Sequence, residues 1–131
     1  MKVLFDHNLS PRIPRALQAL MGDGYEIIAL KEKFDPSIKD IDLITALNRE
    51  GGWVLISGDR RITRNKTEKS AFQSSKIIGM FLSSGLYKSP VLKQAERLIA
   101  LWPAIESIAA NVAPGSMFEL PLKSLKPSSL R

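Results

Sequence analysis

Three aspartates sit where the sequence changes character. Asp59 follows the run Trp53-Val54-Leu55-Ile56-Ser57-Gly58, Asp6 follows Lys2-Val3-Leu4-Phe5, and Asp40 opens the amphipathic stretch between them. An apolar run bounded by glycines, and rich in β-branched and aromatic residues, reads as a buried strand, so Asp6 and Asp59 stand at carboxyl ends of strands. In an open α/β sheet that edge is where loops gather around a ligand. Other chemistries are scarce. The chain has no cysteine, which removes disulfides, thiolate nucleophiles and thiolate metal sites, and its one histidine, His7, leaves little for a zinc site or a Ser-His-Asp triad. Carboxylates remain. Held close together they repel, and such a cluster is stable near neutral pH mainly around a divalent cation. Hard oxygen ligands without His or Cys favour magnesium or manganese over zinc. Phosphodiester hydrolysis is the reaction that most needs such a centre, because the metal activates water and neutralises charge on the scissile phosphate.

The charge distribution points the same way. Through Asp59 the chain carries 7 basic and 9 acidic residues, and from Arg60 onward 12 basic and 4 acidic, for a net charge of +6. Five of those cations, Arg60, Arg61, Arg64, Lys66 and Lys69, crowd into ten residues directly after Asp59. An acidic centre framed by a basic surface suits a polyanionic substrate, and Arg60, Arg61, Arg64 and Lys66 are the candidate phosphate contacts.

The elements that must position these residues follow from pattern. Ser10-Pro11 is a helix-start signal, with Ile13, Leu17, Leu20 and Met21 on one face and Gly22 and Gly24 as the stop. Tyr25 to Leu30 reads as a second strand and Lys31 to Lys39 as a loop. Ile41, Leu43, Ile44 and Leu47 form a helix ended by Gly51-Gly52. After the central strand, residues 60 to 75 have weak helical character, and Lys76 to Leu82 is a fourth strand with Ser83-Ser84-Gly85 as its exit loop. Pro90 opens the longest helix, whose apolar positions include Leu92, Ala95, Ile99, Trp102 and Ile108, with Pro103 expected to bend it. Met117 to Leu122 reads as a fifth, edge strand, since Pro121 is tolerated only there. The alternation implies an α/β domain over residues 1–122, with a mostly parallel sheet of four to five strands between helices and a frayed tail over 123–131.

Spacing also ranks the acids. Asp40 shares a stripe with Leu43, Ile44 and Leu47, whereas Asp42 lies about 200° round the helix. Asp40 therefore leans toward the covered side, although a first-turn acid also complements the helix dipole with no further role. Alternation along an extended segment points His7 away from Asp6, against a general-base role.

The stretches LFDHNLSPRIPRAL and VLISGDRRITRN, together with Asp40, resemble the PIN-like domain family, in particular the short proteins related to VapC-type toxins, over about residues 2 to 85. The resemblance implies a three-layer α/β/α sandwich and a magnesium- or manganese-dependent ribonuclease, often a toxin held by a cognate antitoxin protein. It also implies that Asp6, Asp40 and Asp59 are the acidic metal-binding, catalytic positions, with Asn8 as an accompanying polar, substrate-side position. A fourth acid is usual in such nucleases. Here the neighbours of Asp59 are arginines, and the candidates are Glu68, if its segment folds back over the sheet rim, and Asp42.

Two rival readings differ in class. A phosphorylatable receiver domain also places acids at strand ends, but it needs a lysine ending a later strand, and neither KIIGMFLSS nor MFELPL supplies one. A degraded PIN-like module would bind RNA or a protein partner through its basic half without cutting. The remaining expectations are a cytoplasmic protein with no membrane partner, and a homodimer face on the long helix.

Overall fold

Alternate side chains of a strand face opposite ways, so a sheet covered on both sides needs apolar residues at every position. The strands here meet that condition. In the computed structural model, which describes residues 1–130, β1 (Lys2–Phe5), β2 (Glu26–Ala29), β3 (Trp53–Ser57), β4 (Ile78–Leu82), β5 (Met117–Leu120) and β6 (Ser128–Leu130) form one sheet in the order β2-β1-β3-β4-β5-β6. The first five are parallel and β6 is antiparallel to β5.

Helices cover both faces. Val3, Phe5, Val54, Ile56 and Met80 pack against α1 (Arg12–Met21) and α6 (Val91–Asn111) through Ile13, Leu17, Leu98, Leu101, Trp102 and Ile105. Leu4, Leu55 and Phe81 face the other way, onto α2 (Asp40–Glu50) and α4 (Lys66–Gln73) through Leu43, Ile44, Leu47 and Phe72. The result is the expected three-layer α/β/α sandwich. Two short helices, α3 (Arg61–Arg64) and α5 (Ser84–Tyr87), follow the ends of β3 and β4. No helix among the described residues is long and apolar enough to cross a membrane.

The differences from the sequence reading have local causes. Leu20, Leu92 and Ile99 are exposed, because the helix stripes that meet the sheet run through Ile13 and Leu17 and through Leu98, Leu101, Trp102 and Ile105. Ser83 ends no plain loop: its hydroxyl accepts from the Leu86 amide at 3.2 Å and caps α5. The sheet has six strands, and β5 is not its edge. The tail that the sequence marked as frayed returns as β6, and the buried Arg97 of α6 holds the connecting segment by donating to the carbonyls of Pro121, at 3.3 Å, and of Ser124. Pro121 is tolerated because it lies just past β5.

Topology creates the place where a ligand can sit. From β1 the chain first moves outward to β2 and then crosses back over β1 to β3. Loops leaving β1 and β3 therefore run apart, and a crevice opens between their carboxyl ends.

Candidate active site

The register of the two central strands decides which residues meet in that crevice. Phe5 pairs with Ile56, and the Asp6 amide continues the ladder by donating to the Ile56 carbonyl at 2.9 Å. Asp6 therefore leaves β1 beside Ser57, with Asp59 two residues further on. The Asp6 carboxylate is buried. Its Oδ2 accepts from the Ser57 hydroxyl at 2.9 Å, and its Oδ1 accepts from the His7 amide at 2.8 Å.

His7 corrects the alternation argument. Residue 7 is already in a turn, not in β1, and its ring Nδ1 lies 2.8 Å from Asp6 Oδ1, on the same side as the acid. The ring is half exposed, so it orients the carboxylate from the solvent side.

Ser57 is the residue that pattern reading missed. It is fully buried, and besides its bond to Asp6 its Oγ accepts from the Asp59 amide at 3.0 Å and from Asn8 Nδ2 at 3.3 Å. Asn8 Oδ1 in turn accepts from the Gly58 amide at 3.1 Å. Both ends of the Asn8 carboxamide are thus committed to the β3 exit. In this geometry Asn8 positions the loop that carries Asp59, where the resemblance implied a substrate-side role. The available signal for Ser57 was a lone polar residue at the end of an otherwise apolar strand.

Asp59 is held by Arg61, whose amide donates to Oδ1 at 2.9 Å and whose Nε donates to Oδ2 at 2.5 Å. The charges of Asp59, Asp40 and Asp6 raise the Arg61 pKa further, the Asp59 hydrogen bond being the largest cause. One guanidinium thus sits within the field of three candidate acids. Arg60 is paired with Glu119 of β5, while Arg64 and Lys66 are exposed and make no ion pair among the described residues.

Glu68 joins the cluster from the opposite layer. Asn65 caps α4 by accepting from the Glu68 amide at 3.1 Å, which places the Glu68 side chain in the first turn. It turns toward Asp40, in the first turn of α2, while Asp42 is exposed on the far side of that helix. The Glu68 pKa is raised, first by burial, then by the negative charge of Asp40 and a hydrogen bond shared with it, against the opposing pull of Arg61. Glu68 Oε2 is also buried without a hydrogen-bond partner. The fourth acid that the sequence left open is therefore beside Asp40 in space.

A divalent cation fits this donor set chemically. It would satisfy the orphaned Glu68 oxygen and offset the repulsion between Glu68 and Asp40. The spacing is not closed around an ion. No three acidic or histidine side chains among the described residues are already grouped for one, and Arg61 supplies the counter-charge.

A pH prediction follows from Glu68. Its folded pKa is raised, so between the unfolded value, near 4.5, and the folded one the native state binds the extra proton, and stability falls as pH rises through that window. Melting metal-free protein in EDTA between pH 5 and pH 8 should show a steeper loss for the wild type than for Glu68→Gln, by roughly a few degrees. Equal slopes would show that Glu68 does not titrate under this strain.

A sequence model described as a PIN like domain matches residues 1–84, which include Asp6, Asp40, Asp59 and Glu68. No curated protein and no solved structure matches the chain.

Proposed function

The chain belongs to the PIN-like domain family, whose members are generally nucleases, and on that premise we propose that it is a magnesium- or manganese-dependent ribonuclease whose metal is held by Asp6, Asp40, Asp59 and Glu68. The observation that carries the reading is that the charges of Asp6, Asp40 and Asp59 all act on Arg61, and those of Asp40 and Asp59 on Glu68, beside the topological switch point. A bound divalent cation would supply a nucleophilic water at neutral pH and neutralise charge on the phosphate. The protein's own parts have separate tasks. Ser57 and His7 orient Asp6, Asn8 and Ser57 fix the β3 exit, and Arg64 and Lys66 are the cations free to meet the substrate backbone. Arg61 holds Asp59 here, and a cation bound by Asp59 would compete with it, which would leave the guanidinium available to the phosphate.

The test is cleavage of a mixed panel of structured and single-stranded RNA in Mn²⁺, Mg²⁺ or EDTA. We expect cutting with either metal and none in EDTA. Cutting that survives EDTA would remove the metal from the account. One observation favours the second reading, a module that binds RNA without cutting: Arg61 already occupies the position of a counter-ion. RNA binding with no cleavage in any metal would select it.

Salt dependence follows from the free cations. Single-stranded RNA affinity should fall linearly with log salt, and Arg64→Ala or Lys66→Ala should each reduce that slope by about 0.7. An unchanged slope in both variants would place the RNA elsewhere.

The narrower reading is a cytoplasmic toxin with a cognate antitoxin protein. Induced expression of the wild type should then arrest growth, and co-expression of the antitoxin should relieve it. Arrest that persists in Asp59→Asn would separate toxicity from this site.

A further inference from the structure

A recess lined by Asp59, but not by Asp40 or Glu68, reaches the ends of β4 and β5. It has a volume of about 360 Å³, and Asp59, Arg60, Arg64, Tyr87 and Glu119 are among its lining. Tyr87 and Glu119 lie beyond the segment matched by the family, so the family assignment says nothing of them.

Tyr87 is the one aromatic ring among the large apolar side chains exposed in the described residues, at 39%. Its position is built. The ring rests on the main chain of Gly58, where a Cβ would stand 2.2 Å from a ring carbon, so only glycine between Ser57 and Asp59 admits it there. Behind it, the buried Gln94 of α6 donates from Nε2 to the Tyr87 carbonyl at 2.9 Å, and the fully buried Leu86 anchors the same turn. An aromatic ring fixed this way has little entropy left to lose on stacking. Beside it, Arg60 is neutralised by Glu119, while Arg64 keeps its charge free of carboxylate partners among the described residues. The recess therefore joins a rigid π-face, a hydrogen-bonding pair and one available cation directly to the strand exit that carries Asp59.

We propose that this recess is a nucleobase subsite, in which the base next to the bound phosphodiester stacks on Tyr87 while Arg64 meets its backbone phosphate. The volume is at the small end of the range for ligand pockets, about 300 to 1,000 Å³, which suits one nucleoside rather than a run of bases. Stacking is tolerant of base identity, and selectivity would come from the Arg60–Glu119 pair at the base edge. This inference rests on the nuclease reading, since it takes the phosphodiester to lie at Asp59.

The chain has two tyrosines, Tyr25 and Tyr87. Tyr25 donates its hydroxyl to Glu106 at 2.9 Å next to the start of β2, at the opposite end of the sheet, and serves as an internal control. Protein with labelled tyrosine rings would be titrated in EDTA, where nothing is cut, with a single-stranded RNA pentanucleotide and separately with ribose 5-phosphate. We expect the pentanucleotide to move the Tyr87 ring signals upfield with Tyr25 unmoved, and ribose 5-phosphate to produce no such shift. Tyr87→Leu, which keeps an apolar contact on Gly58, should weaken pentanucleotide binding by about 5- to 100-fold, and Tyr87→Phe, which keeps the ring, should bind like the wild type. RNA that binds with Tyr87 unmoved, or that binds Tyr87→Leu as tightly as wild type, overturns the subsite while metal-dependent cleavage still supports the nuclease. Absence of both RNA binding and cleavage in the wild type overturns both.

Discussion

Replacing Asp59 by Asn should lower RNA cleavage by on the order of 10²-fold or more, because even groups that merely orient a metal ligand are worth about 10- to 100-fold and Asp59 is proposed as a ligand itself. The substitution keeps the size of the side chain and its ability to accept from the Arg61 amide. What it removes is a charge at the mouth of a carboxylate cluster. Removing like charge from such a cluster relieves strain, so the melting temperature of metal-free Asp59→Asn should equal or exceed that of the wild type. The loss should appear in kcat, with RNA affinity in EDTA kept or improved, since one repulsive charge near the phosphate is gone. A variant that cleaves at the wild-type rate would move the chemistry away from the β3 exit. One that unfolds would mean that the Asp59 to Arg61 contact is a fold determinant.

Phe5→Ala should do the opposite, taking the fold with it. Phe5 is fully buried in the layer beneath α1 and α6, in register with Ile56, and it immediately precedes Asp6. Truncating a buried phenylalanine costs about 3 to 5 kcal/mol, a large share of the stability of a domain this size. The melting temperature should fall by more than roughly 10 °C. Cleavage per folded molecule should also drop, because β1 sets where Asp6 meets Ser57. A fall of only about 2 °C would show that the layer collapses around the gap and that the register does not depend on the ring. Adjacent residues thus separate two roles, with Phe5 at the end of β1 holding the sheet and Asp6 just past it presenting charge.

How far the sequence could be read depended on how local each signal was. The strands declared themselves through continuous apolar runs, and Asp40 through its shared stripe with Leu43, Ile44 and Leu47, because those contacts recur every few residues. The mostly parallel sheet with helices on both faces followed from alternation. Glu68 was harder, since its neighbour in sequence is Lys69 while its neighbour in space is Asp40, brought across by α4 folding over the β3 and β4 face. His7 departs from the alternation because the strand ends at Phe5 and the turn begins at His7 itself. The C-terminal strand was unreadable for a related reason. What orders it is a buried Arg97 hydrogen-bonding to distant carbonyls, and nothing in the polar run 123–130 signals that partner. Ser57 and Asn8 share this property: each acts through long-range contacts that leave no periodic trace.

Whether Asp6, Asp40, Asp59 and Glu68 form one divalent-cation site is decided by Mn²⁺ titration calorimetry at neutral pH on the wild type and on Asp59→Asn. Saturable Mn²⁺ binding is expected for the wild type, weakened by at least about 10-fold in the variant. A wild type that takes up no Mn²⁺, or a variant that binds it equally well, would contradict the site and leave Arg61 as the cluster's permanent counter-ion.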